Sequence, residues 1–132
     1  MNEFSYESIL GHSLPFCFVG GPYTNPDPTT NIRKAALLVN RLWEDGIVFP
    51  ICPMIEASLQ NLICPQPYDW WVVRTARYIP LCNVGIFLPG ESSGKLKEQS
   101  IFEMMGHPFF ENPDVGESIK QLYEWVENWR RP

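Results

Sequence analysis

Short apolar runs alternate along the chain with stretches whose apolar residues recur at helical spacing, and this predicts an α/β protein with a parallel sheet covered by helices. Phe16-Cys17-Phe18-Val19, closed by Gly20-Gly21-Pro22, reads as a buried first strand ending in a tight turn. A Pro-rich loop from Asn25 to Thr30 follows. Ile32, Ala35, Ala36, Val39, Leu42 and Trp43 then repeat at helical spacing, with Thr30 or Asn31 as cap and Gly46 just past the end. Ile47-Val48-Phe49 predicts a second strand, broken by Pro50 and Pro53. Met54 to Ile63 and Asp69 to Ile79 predict two short helices, separated by Pro65 and Pro67. Val84 to Leu88 is the expected third strand, running into the polar turn Pro89 to Gly94, where a helix starts that ends near Gly106. Pro108-Phe109-Phe110 reads as a short fourth strand. A last helix, with Asn112 as cap and Pro113 in first position, keeps Val115, Ile119, Leu122, Val126 and Trp129 on one face.

At 132 residues this pattern fits one domain, residues 1–132, with residues 1–15 as an extension ahead of the first strand. The longest apolar run, Ala35 to Val39, is bracketed by Arg33, Lys34, Asn40 and Arg41 and is far too short for a membrane span. A net charge of −5 leaves too few cations to neutralise a phosphate backbone, so a nucleic-acid polymer is excluded as the expected ligand and a small molecule or protein remains. Glu3 and Glu7 stand where a secretion signal carries positive charge. Cys17, Cys52, Cys64 and Cys82 form no C-x-x-C pair and read as buried free thiols, which together with the amino-terminal charges predicts a cytoplasmic protein. His12 and His107 have no Cys, His or acidic neighbour at metal-ligand spacing and read as structural. The expectation is no metal and no cofactor.

In a parallel sheet, ligands bind beyond the carboxyl ends of the strands, where the strand order changes direction. With strand order 2-1-3-4, Gly20 to Thr24 after the first strand and Pro89 to Gly94 after the third face one crevice. Both turns combine Gly with small hydroxyl residues, which let a ligand approach the backbone. Glu98 is the sharper signal, because it shares a helical stripe with Ile101, Phe102 and Met105. Lys95, Lys97 and Glu103 reach water more easily. A carboxylate on an inward stripe needs a partner or a cleft. Either Arg74 or Arg77 pairs with Glu98, or the side chain lines the crevice. In the second turn of its helix it is expected to stay ionised, and an ionised, partly desolvated carboxylate is a nucleophile toward a sugar carbon.

Gly21-Pro22-Tyr23-Thr24, Asp69-Trp70, Cys82-Asn83 and Ser93-Gly94-Lys95-Leu96-Lys97-Glu98 together resemble the nucleoside 2-deoxyribosyltransferase superfamily, and within it the small bacterial and phage-type branch. The resemblance covers Phe16 to Phe110, and the S-G-x-x-x-E element is its most specific part. It implies a flavodoxin-like, Rossmann-like three-layer sandwich on a four- to five-stranded parallel sheet. It also implies that Glu98 attacks the anomeric carbon of a nucleoside or nucleotide to form a glycosyl-enzyme intermediate. Gly20, Gly21, Pro22 and Tyr23 then contact sugar or base, with Tyr23 able to hydrogen-bond the carboxylate, and Asn83, Gly90, Ser92, Ser93 and Gly94 complete the substrate site. A phosphate, where present, sits on the amides near Ser92 to Gly94. Family members carry aspartates where this chain has Thr75 and Asn83, so Asp69 or Glu91 is left to supply a proton.

Water as acceptor makes such an enzyme a hydrolase, and a second base makes it a transferase. A non-catalytic nucleotide-binding module is the alternative. Trp70 and Trp71 either wall a base pocket or split between core and surface. Tyr123, Trp125 and Trp129 widen the apolar face of the last helix toward a subunit contact, in line with a homodimer or higher homo-oligomer, or with a protein whose role is interaction alone.

Overall fold

The central strand β1 (Phe16–Gly20) pairs in parallel with β2 (Phe49–Ile51) on one side and β3 (Val84–Phe87) on the other, in a computed structural model that describes residues 13–130. The fourth strand, β4 (Phe109–Glu111), pairs in parallel with β3 and completes the order β2-β1-β3-β4. Among the described residues five helices flank this sheet: α1 (Pro28–Asp45), α2 (Pro53–Ile63), α3 (Tyr68–Ala76), α4 (Ser93–Met105) and α5 (Val115–Arg130), with one 3-10 turn, Ile79–Leu81, between α3 and β3. This is the flavodoxin-like α/β sandwich with four strands.

Side-chain alternation assigns the layers. Cys17 and Val19 of β1 and Val84 and Ile86 of β3 point to one face, where they pack with Ala35, Leu38 and Leu42 of α1 and Ile119, Leu122 and Val126 of α5. Phe18 and Phe87 point to the other face and meet Phe102 of α4, Ile79 and Cys82. The three phenylalanine rings lie with centroids 5.9 Å apart, at angles favoured by the ring quadrupoles. The helix after β1 therefore covers one face and the helix after β3 covers the other.

Several boundaries differ from those the sequence predicts. Helix α1 starts at Pro28, because Asp27 rather than Thr30 or Asn31 is its cap: the Asp27 carboxylate accepts from the Thr30 backbone N–H and hydroxyl, each at 2.8 Å. Gly46 ends it in the left-handed conformation, φ 64°, as expected. The second strand lies at 49–51 rather than 47–49 and runs through Pro50. Pro is tolerated there because β2 is an edge strand and the missing N–H lies on the side away from β1. Helix α5 starts at Val115, two residues beyond Pro113, with the Asp114 carboxylate accepting from the Gly116 N–H at 2.9 Å. Asn112 instead donates to Ser118 Oγ and Gln121 Oε1.

Cys17 and Cys82 are buried thiols, whereas Cys64 is exposed, and all four cysteines are free. The His107 ring nitrogen Nδ1 lies 2.9 Å from the Cys82 carbonyl, a structural contact, and His12 lies outside the described residues. Trp125 and Tyr123 pack against the core, and Trp129 stacks on Trp125. No helix among the described residues is long and apolar enough to cross a membrane.

Phe102, fully buried between Phe18, Phe87 and Phe109, and Met104, 86% exposed on the same helix, should behave oppositely. Phe102→Ala is expected to lower stability by about 3–5 kcal/mol. Met104→Ala should change it by less than about 0.5 kcal/mol. Urea midpoints of the two variants check this.

Candidate functional site

The first turn after β1 is shaped from below by a residue the sequence reading left among the cap candidates. Asn31 lies on the inward stripe of α1 and is 3% exposed, and its amide donates to the carbonyls of Tyr23 and Asn25 at 2.9 Å each. That holds the Gly20–Asn25 backbone in one path over the end of the sheet. The second turn, after β3, rests against the first: Gly90 adopts φ 128°, and a Cβ there would come within 2.9 Å of Pro22 Cγ. Only glycine lets the two turns approach this closely.

Lys95 is buried, not water-facing as its spacing suggested. Its ammonium donates to the Gly90 carbonyl and to Glu111 at the end of β4, and Gln99 Nε2 donates to the other Glu111 oxygen at 2.9 Å. A buried cation needs such pairing, and here the pairing ties the β3 turn to helix α4. Ser92 caps that helix, its hydroxyl accepting from the Lys95 N–H at 3.2 Å.

Between these turns and the α2–α3 hairpin lies a cavity of about 180 Å³. Gly20, Gly21 and Tyr23 line it from the first turn, and Ser92, Gly94, Lys95 and Glu98 from α4. The far wall comes from α2 and α3: Met54, Ala57, Ser58 and Asn61, then Tyr68, Trp71, Val72 and Thr75, with Gln66 between the helices. Glu98 is 9% exposed. Among the described residues it has neither ion pair nor hydrogen bond, and Arg74 instead pairs with Glu56 at 3.0 Å. Tyr23 lines the same cavity without a hydrogen bond to the carboxyl, its ring lying 6.4 Å from that of Tyr68.

Burial pushes the Glu98 carboxyl up from its ordinary 4.5 to about 8. This corrects the expectation of an ionised group: the position in the second turn offers too little positive potential to offset the loss of water. Cys52, at the end of β2, is pushed up to about 12 by burial, with the neighbouring Glu98 charge adding to the rise. Among the described residues Glu98 is the only acidic one that lines the cavity.

The predicted site residues thus divide. Gly20, Gly21, Tyr23, Ser92, Gly94 and Glu98 come together around the cavity. Pro22 and Gly90 lie behind it as the seam between the turns, and Ser93 is exposed on the first turn of α4. Asp69 is exposed in the first turn of α3 and does not line the cavity. Asn83 precedes β3, at the opposite end of the sheet, where its Oδ1 accepts from the Phe16 N–H at 2.9 Å. Of the two tryptophans, Trp71 lines the cavity and Trp70 is 46% exposed.

Apart from Trp71 and Thr75, the residues that line the cavity from the hairpin go unmarked in the sequence. Asn61 recurs with Met54 and Ala57 on the inward stripe of α2, a polar residue on an apolar face, and the same signal that singled out Glu98 applies to it. Its Oδ1 accepts from the Trp71 indole N–H at 2.6 Å and from the Gln66 backbone N–H at 2.9 Å. Among the described residues no group of three or more His, Cys, Asp or Glu side chains is placed to hold a metal ion. Comparison of the chain with models of protein families, with curated proteins and with solved structures gives no match.

A carboxyl that holds its proton in the folded state but loses it near 4.5 when unfolded makes stability fall as pH rises from about 4.5 to about 8. Glu98→Gln removes that penalty. The variant should melt several degrees above the parent at pH 8.5 and within a degree or so of it at pH 4.5, by differential scanning calorimetry at both values.

Proposed function

We propose that this chain is a nucleoside or nucleotide N-glycosyl enzyme of the deoxyribosyltransferase type, a transferase or an N-glycoside hydrolase, with Glu98 as nucleophile. The observation that carries this reading is a lone carboxyl, unpaired among the described residues, lining the cavity formed by the turns after β1 and β3. An unpaired buried carboxyl destabilises the fold, and chemistry at that point is the reason to keep it.

The Glu98 carboxylate attacks the anomeric carbon as the bond from that carbon to the base nitrogen breaks. The base departs with the bonding electron pair and takes a proton from water, since no second carboxyl among the described residues lines the cavity. The glycosyl ester is then opened on its vacated face by water or by a second base, whose proton passes to solvent, and Glu98 leaves as carboxylate. Two inversions give retention of configuration. Apolar walls exclude water and so strengthen the attraction between carboxylate and the developing positive charge on the sugar.

Thr75 lies in the cavity with its hydroxyl donating to the Val72 carbonyl at 3.2 Å, and so contributes no acid. This favours the second reading, a nucleotide-binding module without turnover, and the same experiment decides between them.

Incubation of the protein with mixed 2′-deoxynucleosides and nucleotides, followed by chromatography, should show base release or exchange, and Glu98→Gln should reduce the rate by at least a thousandfold. Because only the ionised group attacks, kcat/KM should rise with pH and level off above a limb near pH 8. Ligand-induced thermal stabilisation without any turnover favours the binding module; an undiminished rate in Glu98→Gln removes the nucleophile.

A further inference from the structure

We infer that Asn61 reads the far edge of the base, donating through Nδ2 to an oxo oxygen, so that the cavity takes oxo-edged bases of the uracil or hypoxanthine kind over amino-edged ones of the cytosine or adenine kind. This deepens the nucleoside reading of the cavity and rests on it. The argument begins with the two hydrogen bonds at Oδ1. The Trp71 indole N–H and the Gln66 backbone N–H are both donors only, so the atom between them is an acceptor and the amide has one orientation. Its Nδ2 has no partner among the described residues, on a side chain that lines the cavity. Asn61 therefore offers a ligand two N–H donors and no acceptor.

Position selects the edge that meets them. Asn61 lies in the last turn of α2 and Glu98 in the second turn of α4, on different walls of the one cavity. Seven residues separate Met54 from Asn61, a rise of about 10 Å along the axis. That length of cavity wall accommodates a nucleoside from its anomeric carbon to the substituent on the distal side of the base, with Asn61 at the end away from β2. Tyr23 and Tyr68, whose rings lie at 27° to one another, supply flat faces along this path. An oxo group accepts from Nδ2, whereas an amino group sets N–H against N–H and leaves two desolvated donors without partners.

Asn61→Asp tests this cleanly, because the carboxylate keeps both bonds to Trp71 and Gln66 and turns an acceptor toward the ligand. Isothermal titration in a Glu98→Gln background, where nothing is consumed, compares 2′-deoxyuridine with 2′-deoxycytidine and 2′-deoxyinosine with 2′-deoxyadenosine. The parent should bind the oxo member of each pair at least tenfold more tightly, and Asn61→Asp should reverse both ratios. A purely structural Asn61 would weaken all four ligands alike and leave the ratios unmoved. Unmoved ratios, or a parent preference for the amino members, overturn the role of Asn61 while the nucleoside reading stands. Failure of all four to bind overturns both.

Discussion

The constraint on which the rest depends is the pairing of β1 with β3, two strands buried on both faces whose following helices leave in opposite directions. After β1 the chain turns toward α1 on one face; after β3 it turns toward α4 on the other. Among the described residues no strand or helix joins these two turns, and a crevice at the carboxyl ends of the strands is the geometric result. Sequence enters through glycine and proline in the two turns, which meet at Gly90 and Pro22, and through Asn31, which holds the first turn from beneath.

Helix α4 then carries two charged residue types into low-dielectric surroundings and treats them differently. Lys95 is matched by the Gly90 carbonyl and by Glu111, whose other oxygen accepts from Gln99, a closed network that anchors the turn. Glu98, one turn further on, has no such set among the described residues and retains its proton up to about pH 8. The contrast separates scaffold from site. A satisfied buried charge rigidifies its surroundings, whereas an unsatisfied one is free to change its protonation or its bonding when a ligand arrives.

Much of this was legible from residues alone. The strands were found because runs such as Phe16 to Val19 and Val84 to Leu88 are apolar at every position, and the crevice followed from their order. Glu98 was found because one acid interrupts an apolar stripe. Lys95 was misjudged because helical spacing reports only its own face, and its partner Glu111 arrives from a strand sixteen residues away. Asn83 enters the third strand as expected but lies at the end of the sheet away from the cavity it is grouped with: a motif beside a strand does not say which terminus of the strand the ligand faces. Most of the hairpin wall stayed hidden because α2 and α3 are short and separated by Pro65 and Pro67, so periodicity marks a polar residue such as Asn61 on an apolar stripe without showing that the stripe faces the crevice.

Pro50 has a consequence for how the molecule meets its neighbours. An exposed outer strand is ordinarily a template on which another chain can add main-chain hydrogen bonds, and a proline whose nitrogen faces outward removes a donor from the middle of that template. β2 is only three residues long, so the loss interrupts the whole ladder. Growth of the sheet from this side would have to proceed without that donor and past a residue that is itself buried, so the edge offers little main chain to a second chain and leaves side-chain surfaces to mediate contacts there.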